Sequence, residues 1–237
     1  MALNGRKEAL TLVGPSILLD LLNRWYQAAD GGLTFPVHMI STDEVHEETR
    51  LLETPYFSIY GFPLQHRTKT TGYSIVEAAQ ERKLRIDSLP EDLPYSAYKP
   101  LKRGEDVVYQ GRTYRSEVHT SPAAAPRKYS FFSDTRKLIN YPPIAYGSDL
   151  LYHEATFRQQ HLARAERTLH STALEAAMTA ADLQVGKLLL GHFSARYTDL
   201  EPLLEEAKCH FAHSYLVVEG QPVPVRAPLA SHTDLPR

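Results

Sequence analysis

The chain has 237 residues, 43% of them hydrophobic and 23% charged, which is ample for a sizeable core and ordinary for a globular protein. A net charge of −2 gives no whole-protein attraction to nucleic acid, so any RNA contact has to come from a local patch. One cysteine, Cys209, excludes an internal disulfide and fits a reducing cytosol, and no apolar run approaches the roughly 18 residues that span a bilayer.

In chain order, Leu10–Val13 is an apolar strand ending at Gly14-Pro15. Ser16 reads as the cap of a helix carrying Ile17, Leu18, Leu21, Leu22 and Trp25 at helical spacing, stopped by Asp30-Gly31-Gly32. Phe35–Ile40, Tyr56–Leu64 and Gly72–Val76 read as strands, the middle one delivering His66 just past its end. Residues 81–127 differ. Prolines 90, 94, 100, 122 and 126 interrupt them, and eight Lys/Arg mix with seven Asp/Glu between Glu81 and Glu117. Around Gln110-Gly111 a small hairpin is expected, and otherwise a segment without a core of its own.

Regular order returns at Tyr129–Phe132, which hands over to Ser133-Asp134-Thr135, and at Asp149–Tyr152, which leads into His153-Glu154-Ala155-Thr156-Phe157. Helices are predicted over Arg158–Thr168, Thr172–Leu183 (with Ser171 near its cap) and Leu200–Phe211. Lys187–Leu190 is a strand ending on Gly191-His192-Phe193-Ser194-Ala195-Arg196-Tyr197, and Ser214–Val218 is the last strand. The tail beyond Gly220 reads as loose. Cys209 is expected to pack inside the last helix, and His161, His210 and His213 to be ordinary surface or helix residues.

His66, Asp134 and His192 each follow an apolar strand, so one sheet can bring all three to a common edge, where α/β proteins gather their ligands. Neutral imidazole and carboxylate are the donors of a hydrolytic zinc site. Each alone is more often structural. Arg196 can pair with phosphate or, equally well, with Asp199 or Glu201.

The four motifs Ser-Asp-Thr, His-Glu-Ala-Thr-Phe, His170-Ser171-Thr172 and Gly-His-Phe-Ser-Ala-Arg-Tyr, in this order, resemble those of ribonuclease Z (tRNase Z), a branch of the metallo-β-lactamase superfamily. The resemblance runs from Leu10 to about Val218. It implies an α/β fold of the αββα metallo-β-lactamase type, one domain over 1–237, with an inserted arm at about 83–127. The implied activity is hydrolysis of precursor tRNA at its 3′ side, removing the trailer. It implies two zinc ions per complete site, with manganese or magnesium as alternatives, held by His66, Asp134 (bridging) and His192. His170 would protonate the leaving oxygen, oriented by Glu154, while Arg196, Lys102 and Arg103 would bind substrate. The implied partners are precursor tRNA and a second copy in a homodimer, without a membrane, in the cytoplasm.

The family's His-x-His-x-Asp-His motif occurs nowhere in these 237 residues. The chain is therefore expected to be N-terminally incomplete and catalytically silent by itself. Rival readings are another phosphodiesterase of the same superfamily and a non-catalytic RNA-binding remnant.

Overall fold

The computed structural model describes residues 5–28 and 33–225; the helix stop at 30–32 and most of the expected loose tail lie outside them. The chain opens with β1 (Leu10–Gly14), α1 (Ile17–Ala28) and β2 (Val37–Ser41), and β1 pairs with β2 in parallel as a separate two-stranded sheet. Ser16 stands immediately before α1, and its N–H donates to the Asp43 carboxylate at 3.3 Å. No residue of α1 is buried, and Ile17, Leu21 and Trp25 line its exposed side.

Next come β3 (Thr49–Glu53), β4 (Phe57–Leu64) and β5 (Thr70–Glu77). Residues 77–126 then form a compact unit of their own. It contains β6 (Lys83–Leu84), α2 (Tyr98–Lys102), β7 (Val107–Tyr109), β8 (Arg112–Tyr114), α3 (Ser116–His119) and β9 (Thr120–Ser121). The expected hairpin is β7–β8, turning at Gln110-Gly111, both with positive φ. Against expectation this unit does build a core, in which Leu93, Ala97, Leu101 and Tyr114 are buried together. Buried hydroxyls stitch it: Ser116 Oγ donates to the Leu101 carbonyl at 2.7 Å and Thr120 Oγ1 to the Ser116 carbonyl at 2.6 Å. Few apolar positions suffice because the polar groups between them are satisfied locally.

The larger unit resumes with β10 (Lys128–Phe132), β11 (Leu150–Glu154), α4 (Leu162–Thr168), α5 (Ala173–Asp182), β12 (Leu188–Gly191), α6 (Glu201–Lys208) and β13 (Ser214–Leu216). Its seven-stranded sheet has the order β13-β12-β11-β10-β5-β4-β3. From β10 to β13 the strands are parallel, while β5 runs antiparallel to β10 and β3 to β4. Strand β12 reads Leu-Leu-Leu-Gly, a continuous apolar run of the kind that parallel strands buried on both faces require, and β11 opens on Leu-Leu before ending on the buried His153 and Glu154. Ala173, Ala176, Ala177 and Ala180 form the buried side of α5, and these small side chains join Leu151, Leu188, Leu190 and Phe132 in one core. The cap of α5 is Thr172, next to Ser171, in a reciprocal capping box with Glu175. Cys209 is exposed just beyond α6, because that helix ends at Lys208 instead of continuing to Phe211.

Candidate metal centre

Parallel strands leave the sheet at one edge, and β10, β11 and β12 deliver Asp134, Glu154 and His192 there. His66 joins them because the exit of β4 is tied to the exit of β10. The Arg136 N–H donates to the Gln65 carbonyl at 3.0 Å, and the Gln65 N–H donates to Thr135 Oγ1 at 3.1 Å. The His66 ring lies 4.7 Å from that of His170, which stacks at 5.3 Å on His192, whose Nε2 is 3.3 Å from Asp134 Oδ1. All three predicted ligands and the predicted acid thus meet at one sheet edge.

Backbone geometry at two points is unusual. His192 has φ +56° and Leu169 has φ +56°, left-handed conformations that are uncommon for side-chain-bearing residues and costly for a bulky one. At His192 the turn swings the imidazole back over the strand ends. At Leu169, which closes α4, it presents the carbonyl to His66 Nδ1 at 2.9 Å. A carbonyl can only accept, so His66 carries its proton on Nδ1 and leaves Nε2 free.

Ligand atoms of Asp134, Glu154, His170 and His192 lie within 4.8 Å of one another. Hydrogen bonding separates these four into two pairs. Glu154 is fully buried and its carboxylate is occupied. It accepts from the Thr135 N–H at 2.7 Å, His170 Nδ1 at 2.7 Å, Thr156 Oγ1 at 2.6 Å and the Ser171 N–H at 3.1 Å. With a longer fifth bond from the Thr156 N–H at 3.3 Å, they fill the roughly four lone-pair positions a carboxylate has. Burial by itself pushes the Glu154 carboxyl upward, but the bonds from His170, Thr156 and Thr135 outweigh it and hold the group below the usual range. The bond from Glu154 raises His170 above an ordinary histidine against the opposing effect of burial, with help from the Glu154 and Asp134 charges and opposition from Arg67. Glu154 and His170 therefore form an orienting pair.

Asp134 and His192 form the other pair, His192 exposed and Asp134 half-buried, with the His192 Nε2 turned to Asp134 while its Nδ1 meets Thr156 Oγ1 at 2.9 Å. Two donors about 2.0–2.1 Å from a tetrahedral zinc stand roughly 3.4 Å apart. The observed 3.3 Å between Asp134 Oδ1 and His192 Nε2 matches that edge. Asp134 and His192 therefore fit a divalent ion, while His66, whose ring lies beside that of His170, stands outside the group of four.

Arg196 takes neither of its expected ion-pair partners among the described residues. Its Nε donates to Ser194 Oγ at 3.0 Å and its guanidinium lies 5.1 Å above the Phe157 ring, leaving the rest of the fork exposed. Asp199 instead accepts from the Glu201 N–H. His161 is not idle, since its Nδ1 meets the Tyr197 hydroxyl at 2.8 Å and that hydroxyl also accepts from the Arg158 N–H. His153 is wholly buried, donates from Nδ1 to the Glu154 carbonyl at 2.7 Å, and has an unpartnered Nε2. Burial holds it below an ordinary histidine, so it stays neutral as a structural group. Lys102 and Arg103 belong to the 77–126 unit, where Lys102 Nζ pairs with Glu81 at 2.9 Å and Arg103 closes α2. Thr135, Thr156, Leu169 and Ser171 escaped sequence reasoning. The signal available for three of them was membership in the motifs already singled out.

No family model matches the chain. A ribonuclease Z of Cytophaga hutchinsonii is 37% identical over 222 residues, covering 93% of this chain and 71% of that protein. A ribonuclease Z of Ignicoccus hospitalis is 37% identical over 218 residues, with coverage of 91% and 70%. Among solved structures, the short form of human tRNase Z matches with a TM-score of 0.57 at 17% identity, over 95% of this chain and 71% of that one. The metallo-β-lactamase fold protein YhfI of Bacillus subtilis matches with a TM-score of 0.53 at 16% identity, over 89% and 62%. The structural likenesses establish an α/β metallo-β-lactamase fold. Identity above one third over nine-tenths of its length establishes more: the chain belongs to the ribonuclease Z family.

Proposed function

We propose that this protein serves as a zinc-dependent endoribonuclease that removes the 3′ trailer of precursor tRNA. The observation that carries the reading is the meeting of four sequence-distant motifs at one sheet edge, in a chain 37% identical to a ribonuclease Z over 93% of its length. Asp134, His192 and His66 would hold the metal. Imidazole and carboxylate donors without cysteine favour zinc, and manganese is compatible with the carboxylate. A divalent ion bound there polarises a phosphoryl oxygen and lowers the pKa of the water it holds.

The remaining chemistry belongs to the chain's own side chains. His170, fixed through Nδ1 by Glu154, presents Nε2 as the proton donor to the departing 3′ oxygen. Glu154 stabilises the protonated ring and keeps its orientation. The exposed fork of Arg196 suits a phosphate. Lys102 and Arg103 are proposed contacts for the tRNA body, and the 77–126 unit that carries them corresponds to the expected arm. Cytoplasmic location and a homodimer complete the reading; no helix among the described residues is long and apolar enough to cross a membrane.

Zinc content and RNA affinity of the purified chain test this reading. Bound zinc that disappears in Asp134→Ala is the expected result. Retained RNA affinity with no zinc at any concentration would instead favour the non-catalytic RNA-binding remnant. Cleavage of precursor tRNA by residues 1–237, abolished by Asp134→Ala, would show that these ligands suffice. In any cleaving preparation His170→Ala should lower the single-turnover rate about 100- to 10,000-fold while changing RNA affinity little. Charge reversal at Lys102 and Arg103 should weaken RNA binding, more at low salt than at high.

A further inference from the structure

We propose that the Thr156 hydroxyl is a positioning group that locks His192 in the tautomer with its proton on Nδ1 and a bare Nε2. Thr156 is 6% exposed, so solvent does not replace its bonds. Its Oγ1 lies 2.6 Å from Glu154 Oε2, 2.9 Å from His192 Nδ1 and 3.0 Å from the His192 carbonyl. A hydroxyl has one proton to give. The carboxylate takes it, because a charged acceptor at the shortest distance makes the strongest bond. An oxygen that has donated to Glu154 can only accept from the His192 ring, so the ring nitrogen facing it must carry the hydrogen, and the His192 carbonyl at 3.0 Å receives no proton from Thr156. The opposite assignment would leave Thr156 Oγ1 and Glu154 Oε2 in contact at 2.6 Å with no proton between them. The chain Glu154–Thr156–His192 therefore turns the lone pair of Nε2 toward Asp134.

His66 shows the same design with a different acceptor, the Leu169 carbonyl. Both acceptors sit beside the Glu154–His170 pair: Thr156 donates to Glu154, and Leu169 immediately precedes His170. One buried carboxylate thus organises the acid directly and an imidazole donor through a single hydroxyl. The inference rests on the metal reading only for what the bare Nε2 is for. In the metal-free chain Asp134 Oδ1, 3.3 Å from Nε2, favours a proton on that nitrogen, and the Thr156 bond holds the tautomer against that pull.

Imidazole nitrogen NMR of the EDTA-stripped, isotope-labelled chain is the test, on the wild type, Thr156→Ser and Thr156→Val. The valine variant is nearly isosteric and keeps the backbone link from the Ser194 N–H to the Thr156 carbonyl at 3.2 Å. Wild type and Thr156→Ser are expected to show His192 protonated on Nδ1, and Thr156→Val to shift toward the Nε2–H form. Zinc affinity, measured by chelator competition, should fall roughly 10- to 100-fold in Thr156→Val and be restored in Thr156→Ser. Wild-type His192 protonated on Nε2, or an unchanged Nδ1–H form in a folded valine variant, would overturn the proposal. Equal losses of affinity in the serine and valine variants would also overturn it, because the methyl would then be the active part. A wild type with the predicted tautomer but no zinc binding would support the Thr156 assignment and refute the metal reading.

Discussion

Glu154 concentrates more of the site's order than any residue expected to touch metal or substrate. It is buried, accepts four short bonds from three different loops, and has no solvent to fall back on. Glu154→Gln should destabilise the metal-free chain by about 3 kcal/mol, because one buried partner loses its charge while its donors remain; urea denaturation measures it. The pH dependence of the pair has a definite sign. His170 is raised in the folded state, so its stabilising contribution is complete below the unfolded value of about 6.5 and disappears as pH rises through the folded value. Glu154 is lowered, so its contribution is present above its unfolded value of about 4.3 and is lost only as pH falls through the folded value. The stability difference between wild type and His170→Ala, measured with chelator present, should therefore be largest between about pH 5 and 6.5 and shrink toward pH 9. A difference that grows with pH would mean that His170 is held neutral.

At the scale of elements, the strands that position the site were the easiest to read. Leu188-Leu189-Leu190 is apolar without interruption and Tyr129–Phe132 is broken only by Ser130, so their ends, and with them Asp134 and His192, could be placed from residue type alone. Strand β3 was not legible: Thr-Arg-Leu-Leu-Glu lacks alternation, and only pairing with β4, across a bulge, makes it a strand. The end of α6 and the exposure of Cys209 were also misjudged, because a periodic pattern does not say where a neighbouring element stops a helix. Within the site, the ligand and acid residues carried a chemical signature, whereas Thr156 and Leu169 matter through a hydroxyl and a carbonyl whose direction only tertiary structure fixes. Gly191 shows the same limit. A Cβ there would lie 2.6 Å from Cε2 of Tyr152, whose ring is stacked on Phe131 at 4.7 Å and has little room to yield. Gly191→Ala should cost about 1–3 kcal/mol by overpacking the strand that ends on His192. The cost should fall in a Tyr152→Ala background, as a double-mutant cycle would register; an unchanged cost would assign the strain elsewhere.

Across the whole molecule, two cores rather than one hold the chain together. The larger gathers Phe62, Phe132, Leu151, Leu188 and Leu190 under the alanine face of α5, and the smaller gathers Leu93, Ala97, Leu101 and Tyr114 within residues 77–126. Stability need not be shared equally between such units, since each opens with the free energy of its own contacts. The smaller core has few large side chains, so one truncation removes a large fraction of it. Leu101 is fully buried, and its carbonyl accepts the Ser116 hydroxyl. Leu101→Ala should cost about 2–5 kcal/mol, enough to open residues 77–126 while β10–β12 stay closed. Native-state hydrogen exchange reads this directly: amides around α2 and β8 in the variant should exchange much faster, with those of Leu188–Gly191 unchanged. The wild-type unit should show measurable protection at Leu101 and Tyr114, where a coreless segment would show none. If Leu188–Gly191 lost protection in step with residues 77–126, the two units would unfold as one.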